Sequence, residues 1–490
     1  MDTPPKQGHP RGLYILFFSE AWERFSFYGM RALLVLYLVK QLAYEEKAAL
    51  GIYGTYLGLV YLTPALGGYL ADKVLGARKA IITGGILMAL GHLAMAFEPL
   101  LFHGMGLIIA GNGFFKPNIS TIVGSLYEEN DPRRDGGFTI FYMGINLGAF
   151  ASPLLCGWLG EEIGWHWGFS AATVGMIAGL LVFVLGQGWL GTAGFPPHIT
   201  ATPETRLLGR DWRDIALFVT GGIATVVLAL LAWEVVGPVW SPLPWWSKAL
   251  LGLGLVAAVV LAQMLASGDP DVEPFTVEEW QRLAVVLVIC VFVIFFWMGF
   301  EQAGGTMNLF ADRQTDRHVW GDWEFPASWF QSVNPAFILI FGVPFALLWA
   351  RNDRWKHGLS TPAKMGVGMI VLGLGFVVMY FGQQVAIEQG KAGIGWLMMV
   401  YFLHTMGELC LSPIGLSLVT KLSPTRVVSL MMGVWFAASA LADYLAGQLK
   451  AIVTHFDLPL WEFLIGSSIG AGVLLLVLTP LLKRWMHGKG

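Results

Sequence analysis

From one end of the 490-residue chain to the other, apolar stretches of about 20 residues alternate with short polar breaks. A helix of that length spans the hydrocarbon core of a bilayer. The stretches lie near 13–39, 49–71, 79–97, 101–126, 137–160, 166–190, 213–236, 246–267, 281–311, 326–350, 363–384, 393–420, 427–452 and 461–482. The pattern predicts an all-α membrane protein with fourteen transmembrane helices. No break between them holds enough chain for a soluble domain. The opening MDTPPKQGHPR is polar, and the first apolar run is too long for the core of a cleaved signal peptide.

Composition agrees with the pattern. Charged residues make up 13% of the chain, about half the share of a soluble domain, and mean hydropathy is +0.62. The net charge of -3 is small and by itself argues nothing about nucleic acid, but a basic stripe with interleaved aromatics is absent, so no nucleic-acid partner is expected. Cys156, Cys290 and Cys410 fall inside apolar runs without CxxC spacing, which reads as buried small hydrophobes, not a metal site or disulfide.

Lys and Arg crowd the loops on the side shared with the N-terminus, where Lys73, Arg78, Lys79, Arg351, Arg354 and Lys356 dominate. Both termini are therefore expected in the cytoplasm. Two mid-chain spans, 213–236 and 246–267, carry no intramembrane charge pair and lie between the polar stretches 192–211 and 268–280. Without them the rest divides six and six. The expected organisation is a six-helix bundle over 1–190, a linker with two extra helices over 191–278, and a second bundle over 279–490. Two parallel halves are the arrangement of the major facilitator superfamily. The loop GGYLADKVLGARK, with Gly68, Asp72, Gly76 and Arg78, resembles that superfamily's cytoplasmic motif.

The first span contains FFSEAWERFSFYGMR. A charge at mid-membrane costs about 2.5–3.5 kcal/mol, so each one suggests a function. With Glu20 at zero and 100° per residue, Glu23 falls at about 300°, Arg24 at about 40°, Phe27 at about 340° and Arg31 at about 20°. One face of the helix is thus charged, while Phe17, Phe18, Trp22 and Leu33 cover the rest. Lys116 precedes a kink-favouring Pro117 on the fourth span. Glu301 lies on the first helix of the second half, and Glu408 on that half's fourth, close before Pro413. The charged helices occupy equivalent places in the two halves. Four carboxylates facing three cations leave one negative charge, which a proton would neutralise. Tyr28, Tyr61, Asn146, Asn334 and Trp435 are the polar and aromatic companions.

These stretches resemble the proton-dependent oligopeptide transporters of the major facilitator superfamily. The similarity is carried by EAWERFSFYG on helix 1, FYMGINLGAF on helix 5 and GELCLSPIGLS in the second half, with FFKPN and FQSVNP between. The resemblance implies a proton-coupled symporter of di- and tripeptides that works by alternating access, as a monomer, in the cell inner membrane. Protons are the coupling ion and no cofactor or metal is implied. Glu20, Glu23 and Arg24 would couple protons. Arg31 and Lys116 would attract the peptide carboxylate, with Arg24 beside them. Glu301, Asn146 and Asn334 would meet its amino terminus and backbone, and Tyr28, Tyr61 and Trp435 its side chains. Lys116 and Glu408 would form a gate.

Two positions depart from the family pattern. Phe27 replaces the motif's first tyrosine, and Gly54 stands where animal members carry a proton-coupling histidine. His404, deep in a cavity-type helix, reads as structural. The rival readings are a major-facilitator carrier of nitrate or of a drug-like molecule. A channel suits the opposed charge pairs less well, and a membrane enzyme is disfavoured because HExxH, GxSxG and paired-Asp motifs are missing.

Overall fold

The computed structural model describes residues 8–71, 75–128, 131–195, 206–207, 210–211, 275–355, 358–424 and 427–489. The helices are α1 (Arg11–Lys40), α2 (Glu46–Leu70), α3 (Ala77–Met95), α4 (Leu101–Ser125), α5 (Arg134–Ser152), α6 (Trp165–Gly186) and α7 (Val277–Phe300). They continue as α8 (Thr306–Gln314), α9 (Val333–Arg354), α10 (Thr361–Gln389), α11 (Ile394–Leu422), α12 (Val428–His455) and α13 (Leu460–Trp485). Twelve of the fourteen expected spans fall on described residues, and all twelve are helical. The two extra spans lie outside the described residues, as does Asp72.

Two spans differ in detail from the expectation. The run over 281–311 is interrupted between α7 and α8 by a 3₁₀ turn at Glu301–Ala303 and by Gly304–Gly305. Paired glycines lower the cost of leaving the helix. The fifth span runs on past α5 as π-helical turns at Pro153–Gly157 and Leu159–Ile163. Pro153 lacks the amide hydrogen that a regular helix would use there.

Two compact units result. One holds Met1–Leu33 and Leu62–Ser241, the other Leu34–Tyr61 and Pro242–Gly490. The expected divide kept all of 1–190 together, whereas the end of α1 and the start of α2 group with the second unit. Glycine makes this possible. A Cβ at Gly54 would stand 2.6 Å from Gly447 Cα and 2.9 Å from the Asp443 carbonyl oxygen, so α2 and α12 meet backbone to backbone. Ion pairs fasten the neighbouring ends: Lys40 to Asp312 at 2.9 Å, Arg313 to Glu46 at 3.0 Å, and Lys450 to Glu46. Beyond α8, a two-residue strand β1 (Thr315–Asp316) pairs in parallel with β4 (Ala392–Gly393). A small hairpin, β2 (His318–Trp320) with β3 (Trp323–Glu324), follows β1.

In the first unit, small residues bring α5 and α6 hard against α1. Gly148 lies on the backbone of Ala21 and Phe25, and a Cβ at Gly179 would stand 3.0 Å from the Ser19 carbonyl oxygen. Arg78, expected in a basic loop, is buried instead. It donates to the carbonyl oxygens of Ala193 at 2.7 Å and Gly191 at 2.6 Å, and lies over the Phe195 ring at 4.1 Å. The three cysteines are buried. His404 is enclosed, its ring 4.6 Å from that of Phe376.

Candidate functional site

The sequence puts the charges of α1 on one face, and the fold turns that face inward. Glu20, Glu23, Arg24 and Arg31 are all buried, while Phe18 and Trp22 stay exposed. Glu23 has no exposed surface at all, because Gly179 lets α6 close over its backbone. Arg24 Nε lies 3.0 Å from Glu20 Oε1 and also pairs with Glu23. Two carboxylates therefore share one guanidinium. Lys116, on α4 directly before Pro117, is near enough to feel the charge of both acids. Removing one partner from a buried charge cluster costs about 3–5 kcal/mol, so these groups persist as a set.

Aromatic faces extend the same helix. The Arg31 guanidinium lies 5.4 Å from the Tyr28 ring centre, and that of Arg24 lies 5.5 Å from Phe27. Phe27 is buried and packs edge-on against Tyr28 at 5.4 Å. A hydroxyl in its place would need a partner in that packed setting, so the phenylalanine fits its surroundings. Asn146 is buried on α5, where its amide donates to the Tyr142 carbonyl oxygen at 2.9 Å.

In the second unit, Asn334 Nδ2 donates to Glu408 Oε2 at 2.8 Å and to Thr405 Oγ1 at 3.0 Å. Thr405 in turn donates to the Tyr401 carbonyl oxygen at 2.7 Å. An amide thus orients a buried carboxylate through a charge-assisted hydrogen bond. Glu301, also buried, caps α7 at the helix break. Its neighbour Gln302 holds the break in place by donating to the carbonyl oxygens of Met298 at 3.1 Å and Ala446 at 3.0 Å, while accepting from Thr306 at 2.8 Å. Trp435 is buried with its indole against Gly415 of α11. Tyr61 is half-buried on α2.

Among the buried polar residues that sequence reasoning missed are Gln302, Thr405 and Asp443. Thr405 lies one helical turn from Glu408, and helical spacing alone pointed to it. Asp443 is a lone charge in SALADYLAG, midway along α12, and its position in an apolar run was the available signal. The glycine at 54 also gains a reason: the contact with Gly447 leaves no room for any side chain.

The first unit offers cations beside two buried acids, and the second offers buried acids with an orienting amide. Family comparison places this pattern. Residues 78–463 match the model of the POT family. The chain is 38% identical to the uncharacterized transporter YclF of Bacillus subtilis (strain 168), covering 98% of this chain and 96% of that one. It is 37% identical to the peptide transporter YePEPT of Yersinia enterocolitica subsp. palearctica serotype O:3 (strain YE-P4), with 99% and 96% covered. Among solved structures, a mutant of peptide transporter POT in complex with alafosfalin superposes with a TM-score of 0.82 at 35% identity, over 99% of this chain and 98% of that one. With this likeness running through both units, the chain has the major facilitator fold and belongs to the POT family.

Proposed function

We propose that the chain imports di- and tripeptides together with protons, by alternating access. The observation that carries this reading is the buried Glu20–Glu23–Arg24 cluster with Lys116 in electrostatic reach. Two acids sharing one guanidinium form a set that can gain or lose one proton at modest cost, which is the requirement for coupling. A peptide is a zwitterion, so its carboxylate is taken by Arg31 and Lys116 and its amino group by Glu301. Asn146 and Asn334 meet its backbone, and Tyr28, Tyr61 and Trp435 bound the side-chain pockets. Lys116 and Glu408 pair as a gate, and the peptide carboxylate replaces Glu408 when the gate opens. The carrier works as a monomer in the cell inner membrane with both termini in the cytoplasm. The relatives named as peptide transporters support this reading. Nitrate suits the site less well, because Glu301 and Glu408 repel an anion and a nitrate ion has no amino group to satisfy them.

Reconstitution tests this directly. Labelled dialanine is expected to accumulate in proteoliposomes under an inward proton gradient, and excess nitrate is expected not to compete. Saturable nitrate uptake with no dialanine uptake would replace the peptide reading with the anion one.

A further inference from the structure

In a regular helix the carbonyl oxygen of Leu409 accepts from the amide at position 413, and the proline there has no amide hydrogen. Helix α11 nevertheless runs unbroken from Ile394 to Leu422. A donor comes from another helix: Trp349 of α9 donates its indole N–H to the Leu409 oxygen at 3.1 Å. Tryptophans near the end of a membrane helix commonly sit at headgroup level. This one, with Leu347 and Leu348 exposed beside it, turns its N–H inward to a backbone atom. Phe345, one turn earlier, meets the indole edge-on at 6.2 Å, and the ammonium of buried Lys364 on α10 lies 4.9 Å from the ring centre. Ring and cation together hold the indole in that orientation.

In the first unit α4 meets the same need differently. Pro117 withholds a donor from the Gly113 carbonyl oxygen, and that oxygen lies against Gly67 of α2, too close for any Cβ there. A C–H contact covers the freed carbonyl in that unit, and it is weaker than an N–H donor. Helices α2 and α9 are each the second of their half, so the two units solve one problem with equivalent helices. In the second unit the freed carbonyl directly follows Glu408. Helix α9 thus holds α11 twice, through Asn334 on the Glu408 carboxylate at 2.8 Å and through Trp349 on the Leu409 carbonyl.

We infer that Trp349 is a positioning residue for Glu408. Its indole N–H stands in for the amide that Pro413 lacks and fixes the path of α11 where a proline favours a bend. The Glu408 carboxylate is thereby kept within reach of Asn334. Without the indole, a buried carbonyl loses its donor, and α11 must shift to find another. The consequence for peptide binding rests on the transport reading, whereas the replacement of the missing amide does not.

Four forms of the full chain test this: the natural one, Trp349→Phe, Pro413→Ala and the double variant. Phenylalanine keeps a ring beside Lys364 and removes the donor, while alanine at 413 returns an amide to the helix. Trp349→Phe is expected to raise the dialanine Kd of the purified carrier about fivefold to tenfold, the factor for one lost hydrogen bond, and to lower the thermal midpoint. In the Pro413→Ala background the same change is expected to move Kd by about twofold at most and to leave the midpoint in place. Trp349→His, which can again donate from its ring, is expected to bring Kd back toward the natural value. If Trp349→Phe does not fold, folding of the double variant supports the assignment and its failure to fold overturns it. Equal rises of Kd in both backgrounds, or a natural Kd in Trp349→Phe, would also overturn it. If the natural chain neither binds nor takes up dialanine, the transport reading fails, and the four thermal midpoints still decide whether Trp349 replaces the amide.

Discussion

Gly54 gives a prediction whose size follows from distances. Alanine there places a methyl group 2.6 Å from Gly447 Cα, 2.8 Å from Gly447 N and 2.9 Å from the Asp443 carbonyl oxygen. All three are backbone atoms, so no side chain can swing away. Ordinary contacts of this kind lie at 3.4–4 Å, and α2 and α12 must separate by about 1 Å at the crossing. Overpacking of this kind costs about 1–3 kcal/mol. The cost falls on the folded unit, so its folding equilibrium should drop by about 5–150-fold. Thermal unfolding of the purified carrier measures that loss as a lower midpoint. Gly447→Ala should act likewise. The double variant should cost less than the two singles added, since either methyl opens the same gap. A Gly54→Ala carrier with the natural thermal midpoint would refute the idea that backbone contact holds α2 to α12.

Other outcomes follow from the two charged clusters. Glu23→Gln is expected to abolish gradient-driven uptake while sparing counterflow, which needs no net proton movement; equal loss of both would mark Glu23 as a structural partner of Arg24. Asn334→Ala removes the 2.8 Å donor to Glu408 and should weaken peptide binding by about 1.5–3 kcal/mol, seen as a rise in dialanine Kd with little change in thermal stability. A carrier with Lys116→Cys and Glu408→Cys should crosslink under oxidation and lose exchange until reduced. If no crosslink forms, with or without dialanine, the pair is not a gate.

Much of this arrangement was legible in the chain because lipid imposes a simple rule: charges are rare, so those present stand out. The α1 stripe, Lys116, Glu301 and Glu408 all showed themselves that way, and the span lengths followed from bilayer thickness. Legibility failed where small groups act through contact. Gly54 was visible as a departure, but its partner Gly447 lies nearly 400 residues on, and periodicity carries no information about which helices touch. Asp443 was hidden in a run of alanine and leucine, and one short acid barely lowers the hydropathy of such a window. The break after Phe300 had its signal in Gly304–Gly305, which a tolerant span count overrides. Arg78 read as a solvated loop charge because the carbonyl oxygens that hold it belong to residues 191 and 193, past α6.

The central claim is that peptide and proton move together through this one carrier. Its most direct test records both fluxes in the same proteoliposomes: labelled dialanine inside, and internal pH from an enclosed dye, with the membrane potential clamped. An electrical difference of 100 mV supplies about 2.3 kcal/mol per proton, enough to concentrate dipeptide about 50-fold. Dialanine added outside should acidify the interior in fixed proportion to the peptide taken up, an uncoupler should collapse the accumulation, and Glu23→Gln should remove the acidification. Accumulation that survives the uncoupler, or uptake with no accompanying acidification, would contradict the account.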